Sequence, residues 1–102
     1  MYDNKKVIED NNLIYVDGIS LGDGYRWVEI EVYYSQEDDR YFWISGSGCS
    51  CDSLWENVNT IADMCNGSRQ NAADSVRAFA EENTGSYYAG NEAVVTSKIW
   101  EM

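Results

Sequence analysis

The chain contains no histidine and no proline. Without histidine there can be no Ser-His or Cys-His nucleophile pair, no imidazole metal ligand and no ordinary proton shuttle near neutral pH. Without proline, every turn must rest on Gly, Asn, Asp and Ser. Cations are scarce as well: seven Lys and Arg stand against 18 Asp and Glu, a net charge of −11. A field of that sign repels nucleic acid and anionic membranes and draws in basic partners. The three cysteines, an odd number, cannot close a complete disulfide framework, and reduced thiols in a cytoplasm are the expectation. No apolar run approaches the roughly eighteen residues of a membrane-spanning helix. Nor is Met1-Tyr2-Asp3-Asn4-Lys5-Lys6 followed by the apolar core of a secretory signal.

What the chain does carry is core-forming mass. Its 102 residues suit a single domain, 1–102, with one hydrophobic core, and the 44% hydrophobic fraction is that of a folded globule. Four Trp and eight Tyr supply core volume, and rings of this kind also anchor binding surfaces. Both halves of the chain are acidic, so the charge belongs to the folded domain and not to a tail. Solubility alone explains such a charge as readily as partner recognition does.

Residues 1–12 are polar and read as a frayed terminus or a short edge strand. Leu13-Ile14-Tyr15-Val16 is a short β run closed by Asp17-Gly18, and Ile19–Gly24 reads as a glycine-rich loop. The clearest strand is Tyr25–Tyr34. Val28, Ile30 and Val32 share its core face, and Glu29 and Glu31 share the other with Tyr25, Trp27 and Tyr33. On that second face, cross-strand pairing with Tyr41 and Trp43 under a terminal segment is the structural expectation. Ser35-Gln36-Glu37-Asp38-Asp39 turns the chain into a hairpin with Arg40–Ser45.

Next comes a corner at Gly46, Gly48, Cys49 and Cys51. Ser53 and Glu56 fit a capping box, and Leu54, Val58, Ile61, Ala62 and Cys65 recur at helical spacing up to Asn66-Gly67. A later start, with Thr60 and Asp63 as the cap pair and 53–59 irregular, is the alternative. Ser68 caps a further helix to about Asn83, with Ala72, Ala73, Val76, Phe79 and Ala80 inward and Thr84-Gly85 closing it. Tyr87-Tyr88 leads to Ala93–Trp100, whose β-branched residues predict a last strand. The fold class is α+β: an antiparallel sheet of about four strands with two helices packed on one face.

Chemistry-bearing patterns are few. Cys49 and Cys51 with Cys65 offer three thiolates, and a structural zinc site would need Asp52 or Asp63 as a fourth ligand. A C-x-C redox pair is strained, and a disulfide from Cys65 to either member needs an oxidising compartment. Small, buried, reduced cysteines under the turn are the plainer expectation. The acidic tip Glu37-Asp38-Asp39 lacks the spaced ligands and glycine of a calcium loop. Gly18, Gly22 and Gly24 lack a phosphate-loop lysine and spacing. Nothing here calls for an enzyme, and no cofactor is implied.

The run Tyr41-Phe42-Trp43-Ile44-Ser45-Gly46-Ser47-Gly48-Cys49-Ser50-Cys51 resembles small uncharacterised bacteriophage proteins, well represented in phages of actinobacteria. These share an aromatic strand entering an S-G-C-S-C corner, an aromatic-acidic pair and a short acidic helix. Trp55-Glu56 and Ala62-Asp63-Met64 stand where those features fall, so the likeness covers about 25–65. Those proteins often have proline after the second cysteine, where this chain has Asp52-Ser53. The resemblance implies a phage accessory protein of the bacterial cytoplasm and carries no catalytic residues. The expected function is binding of a host protein with a basic surface, a defence or nucleic-acid-processing factor. The expected contacts are Trp27, Glu29, Glu31, Tyr33, Glu37, Asp38 and Asp39, with no direct nucleic-acid or membrane contact. A homodimer through the aromatic face is an equal alternative. A second expectation is a nucleotide-sequestering protein using Arg26, Arg40, Arg69 or Arg77.

Overall fold

The computed structural model describes residues 6–22, 26–49, 54–55, 58–83 and 89–101. In chain order the elements are α1 (Lys6–Asp10), β1 (Leu13–Gly22), β2 (Arg26–Ser35), β3 (Arg40–Cys49), a single 3-10 turn (Ile61–Asp63), β4 (Cys65–Gly67), α2 (Arg69–Asn83) and α3 (Ala89–Glu101). The strands form one antiparallel sheet in the order β1-β2-β3-β4. The α+β class is as expected, but several elements differ from the expectation, above all a helix, α3, where a last strand is predicted and a strand, β4, at the end of a predicted helix.

Alternation along β2 sorts the core into two faces. Ile30 and Val32, with Tyr41 and Trp43 of β3 and Val16, Ile19 and Leu21 of β1, lie under Ala72, Val76 and Phe79 of α2 and Val95 and Ile99 of α3. On the other face Tyr33, Phe42 and Ile44 are covered by Val7 of α1 and by Trp55, Val58 and Met64. The register pairs Tyr41 with Tyr34 and Trp43 with Val32. Tyr41 and Trp43 therefore belong to the aliphatic face, and the expected pairing with Trp27 and Tyr33 does not form.

β1 runs through the expected Asp17-Gly18 turn and the expected 19–24 loop as far as Gly22. The Gly18 N–H donates to its neighbour's Asp17 Oδ1 at 2.8 Å, and the register slips between Tyr15 and Asp17. The local bond makes a bulge here instead of a turn, and the slip flips the face of everything after it. That is how Leu13 reaches one core and Ile19 and Leu21 the other. Only glycine fits at position 18, where a Cβ would stand 2.5 Å from the Ile30 carbonyl oxygen.

Three further expectations are corrected. Residues 6–10 are helical, neither frayed nor a strand, because Val7 is buried against the second core. Gly46 and Gly48 do not turn a corner; they continue β3, held in register opposite Glu29 and Trp27. Over the described residues of the helix expected from Ser53 to Cys65 there is no α-helix, but irregular chain at 54–55 and 58–60, one 3-10 turn and the start of β4. Asp63 Oδ2 accepts the N–H groups of Asn59 at 2.9 Å and Thr60 at 3.0 Å. These bonds hold the Asp63 carboxyl below its ordinary range, that to Asn59 most strongly. Side-chain acceptors that capture nearby backbone donors compete with a continuous helix. Thr60 and Asp63 thus act as the alternative cap pair, but over a single turn. Ala62 and Cys65 are exposed, and Asn66-Gly67 pairs with β3.

α2 forms as expected. Ser68 Oγ accepts the Asn71 N–H at 3.2 Å and Asn71 Oδ1 accepts the Ser68 N–H at 3.1 Å, a reciprocal cap. Gly67 leaves room for it, since a Cβ there would meet Asn71 Oδ1 at 2.7 Å. Ala72, Ala73, Val76, Phe79 and Ala80 are all buried. The predicted last strand, 93–100, is instead most of α3. Val95, Thr96 and Ile99 fall on its inward side, and Lys98 reaches Asp17 at 2.9 Å. Burying that side outweighs the few tenths of a kcal/mol by which β-branched residues disfavour helix. The calls on Tyr25, Ser53-Glu56, Thr84-Gly85 and Tyr87-Tyr88 fall outside the described residues.

Candidate functional site

The expected contact residues separate into two places. Glu31 and Tyr33 stand inside the second core. Glu31 Oε1 accepts both the Tyr33 hydroxyl and the Trp55 indole N–H, each at 2.9 Å. Tyr33 and Trp55 pack edge to face at 5.8 Å, and Tyr15 meets Tyr33 the same way at 5.4 Å. Tyr33 is 4% exposed, which removes it as a contact residue. Glu31 is a half-buried carboxylate whose role is to seat two rings. Glu29 is half-buried and accepts the Ser20 hydroxyl at 2.8 Å. Trp27 is half-buried too, its indole tied to the Cys49 carbonyl at 2.8 Å.

Glu37, Asp38 and Asp39 are exposed at the β2–β3 turn. Leu13 pairs with Ser35, so the end of α1 lies beside this turn, and Asn12 Nδ2 donates to Glu37 Oε1 at 3.2 Å. Exposed Glu9 and Asp10 therefore join the three turn acids at one end of the sheet. Two cations lie near: Arg69, whose charge acts on Asp39, and Arg40, engaged with Asn66 Oδ1 at 2.7 Å. Asp39, with a positive φ of 49°, accepts the Tyr34 hydroxyl at 2.8 Å. That bond, with some desolvation and the Asp39 charge, pushes the Tyr34 phenol up, and Arg69 opposes it. Burial, then the Asp17 and Glu31 charges, raises the Tyr15 phenol.

Exposed apolar side chains stand around this end. Ile14 lies opposite Tyr34 in register, Tyr15 is 54% exposed, and Trp100 closes α3 with Arg69 stacked on it at 5.7 Å. Arg69 also lies over Tyr41 at 5.9 Å and donates to its hydroxyl at 3.2 Å. Glu9, Asp10, Ile14, Tyr15 and Trp100 were not among the expected contacts. The α1–β1 connection, the β1 bulge and the helical state of α3 bring them here, and no local pattern announces those.

The chain matches a family model described as Domain of unknown function (DUF7574) over residues 2–101. It belongs to that family. No curated protein and no solved structure matches it. The family match takes in α2 and α3, which lie beyond the 25–65 stretch of the phage resemblance, and it assigns no activity.

The alternatives that need Cys49 and Cys65 together fail on distance. Cys65 pairs with Trp43, six residues before Cys49 along β3, which separates the two cysteines by about 20 Å. They cannot share a metal ion or a disulfide, so the trio Cys49, Cys51 and Cys65 is not a site. Cys51 lies outside the described residues, and Cys65 is exposed, not buried under a turn. Among the described residues no group of three or more His, Cys, Asp or Glu is placed to hold a metal ion. The arginines do not converge either. Arg26 and Arg40 stand at opposite ends of the β2–β3 hairpin, and Arg77 pairs with Asp74 at 3.2 Å on the α2 surface. Among the described residues no helix is long and apolar enough to cross a membrane.

Proposed function

We propose that this protein is a non-enzymatic phage accessory protein that binds and modulates a basic host protein, a defence or nucleic-acid-processing factor, in the bacterial cytoplasm. The observation that carries the proposal is the gathering of Glu9, Asp10, Glu37, Asp38 and Asp39 at one end of the sheet, beside exposed Ile14, Tyr15 and Trp100. Carboxylates steer a basic partner and punish wrong ones, while partly exposed rings supply the apolar anchor. The phage origin rests on the resemblance of Tyr41–Cys51.

The test begins with capture of partners from host lysate and continues with the purified pair. Affinity should fall as salt rises through the range where exposed charges are screened. Reversal of Glu37, Asp38 and Asp39 to Lys should weaken binding at least tenfold while leaving the fold intact. Affinity indifferent both to salt and to that reversal ends the charge-driven reading.

A further inference from the structure

A recessed surface lies away from the acidic end, between α2 and β3. Ser75, Ala78, Phe79 and Glu82 recur at helical spacing and form one wall; Trp43, Ser45 and Ile30 form the other wall and floor. The cleft has a volume of about 210 Å³. That is smaller than the roughly 300 Å³ at which drug-sized ligand pockets begin, and it suits one extended side chain. Its location follows from the topology. Ile30 and Ser45 are cross-strand partners, and β4 pairs only with Tyr41–Trp43. Past Trp43, among the described residues, no strand flanks the outer edge of β3.

The lining has a definite chemistry. Ile30, Trp43 and Phe79 make an apolar and aromatic floor, each almost wholly withdrawn from water. The Ser45 and Ser75 hydroxyls and the Glu82 carboxylate sit at the rim and bond to none of the described residues. Arg77, the cation nearest on the same helix, is held by Asp74. Two hydroxyls and a carboxylate above aromatic rings accept a flat cation with an apolar stem. A guanidinium meets these demands better than an ammonium, because it stacks on rings and forks onto carboxylates.

We propose that this cleft receives an arginine side chain of the basic partner protein, with the methylenes on Trp43 and Phe79 and the guanidinium at Glu82, Ser45 and Ser75. The proposal rests on the reading of the chain as a binder of basic proteins, and it adds a specific anchor to what charge alone would leave diffuse. A net charge of −11 and an unengaged carboxylate at the rim favour this occupant over an anionic or purely apolar one.

The experiment titrates the isotopically labelled full chain with a capped pentapeptide of one arginine among alanines, followed by amide and indole NMR shifts. Its controls are the same peptide with citrulline, which keeps the shape and loses the charge, and with lysine. Saturable shifts should centre on Trp43, Ser45, Ser75 and Glu82, with citrulline binding roughly fivefold weaker. Glu82→Gln should weaken the arginine peptide by about the same factor, and Ala78→Trp, which fills the cleft from an exposed position, should abolish the shifts. Equal binding of the citrulline peptide, shifts centred on the Glu37–Asp39 turn, or no saturable shift would each overturn the proposal. Once the partner is purified, the two hypotheses come apart. Binding that survives Ala78→Trp but fails on reversal of the turn acids removes the cleft and keeps the proposed function. If no partner binds at all, the proposed function fails, and the peptide titration still decides the cleft.

Discussion

The Tyr41 hydroxyl is the most exposed test of how α3 is held. Tyr41 is 3% exposed, and its hydroxyl donates to the Ile99 carbonyl at 3.0 Å while accepting from Arg69 Nε at 3.2 Å. Ile99 lies in the last turn of α3, where backbone carbonyls have no partner inside the helix. The hydroxyl therefore caps the helix from the sheet, across 58 residues of sequence. Tyr41→Phe keeps the ring, its contact with Tyr34 at 4.9 Å and the stacking of Arg69, and removes only the oxygen. Losing a net hydrogen bond costs about 1 kcal/mol, and leaving a buried acceptor without its donor adds to that, so about 2 kcal/mol is expected. For a domain of this size that is a fall in Tm of about 8–16 °C. Urea unfolding should show a lower midpoint at unchanged slope, and amide exchange should quicken over the last turn of α3 first. A cost under about 0.5 kcal/mol, the range of an ordinary surface change, would refute the claim that this hydroxyl docks the helix.

Other perturbations separate packing from charge. Glu31→Ala takes the common acceptor from the Tyr33 hydroxyl and the Trp55 indole and should cost about 2–4 kcal/mol. Glu31→Gln keeps an oxygen there and should cost about 1 kcal/mol, so near-equal costs in denaturant melts would contradict the seating role. Gly18→Ala drives a methyl against the Ile30 carbonyl oxygen and should destabilise by about 1–3 kcal/mol; a neutral result would mean the bulge relaxes freely. The raised phenol of Tyr34 favours the protonated form in the fold. Its contribution is intact below the unfolded value of about 10 and is lost as pH rises through the higher folded value. Unfolding midpoints followed from pH 9 to pH 11.5 should fall less steeply in Tyr34→Phe; superimposable curves would show that the Asp39 bond carries no linkage.

How much of the fold could be seen in advance depends on how local its causes are. α2 was legible because Ser68 and the 72–80 stripe lie within fifteen residues of one another with no breaker between them. The β2–β3 hairpin was legible for the same reason. α3 was not, since its β-branched residues favour a strand by tenths of a kcal/mol and a distant partner reverses the balance. Tyr41 and Asp17, which meet α3 through Ile99 and Lys98, lie far from it in sequence. The failed helix at 53–65 has a subtler cause. Leu54, Val58, Ile61, Ala62 and Cys65 satisfy helical spacing, yet of these only Val58 is buried, while Trp55 and Met64, off that stripe, are buried with it. Periodicity cannot tell a helix from an irregular cover whose acids and amides bond to their own backbone.

The same distinction governs the candidate surface. Alternation correctly placed Glu29, Glu31, Trp27 and Tyr33 on one face of β2, but a strand does not state what lies over its faces. Trp55 and Val7 cover this one, turning Tyr33 into core and Glu31 into an internal acceptor. The turn acids escape that fate because a two-strand connection protrudes beyond both layers. The negative charge is thereby divided between groups that hold the protein together and groups it presents to solvent. That division is measurable: substitutions at Glu31 should register in stability at any salt concentration. Substitutions at Glu37 and Asp38 should leave stability nearly unchanged and register in partner affinity only at low salt, whereas Asp39, which accepts the Tyr34 hydroxyl, should register in both. If instead Glu31→Gln altered affinity and the turn variants did not, the face under Trp55 would have to open for binding, and the acidic end would be a bystander.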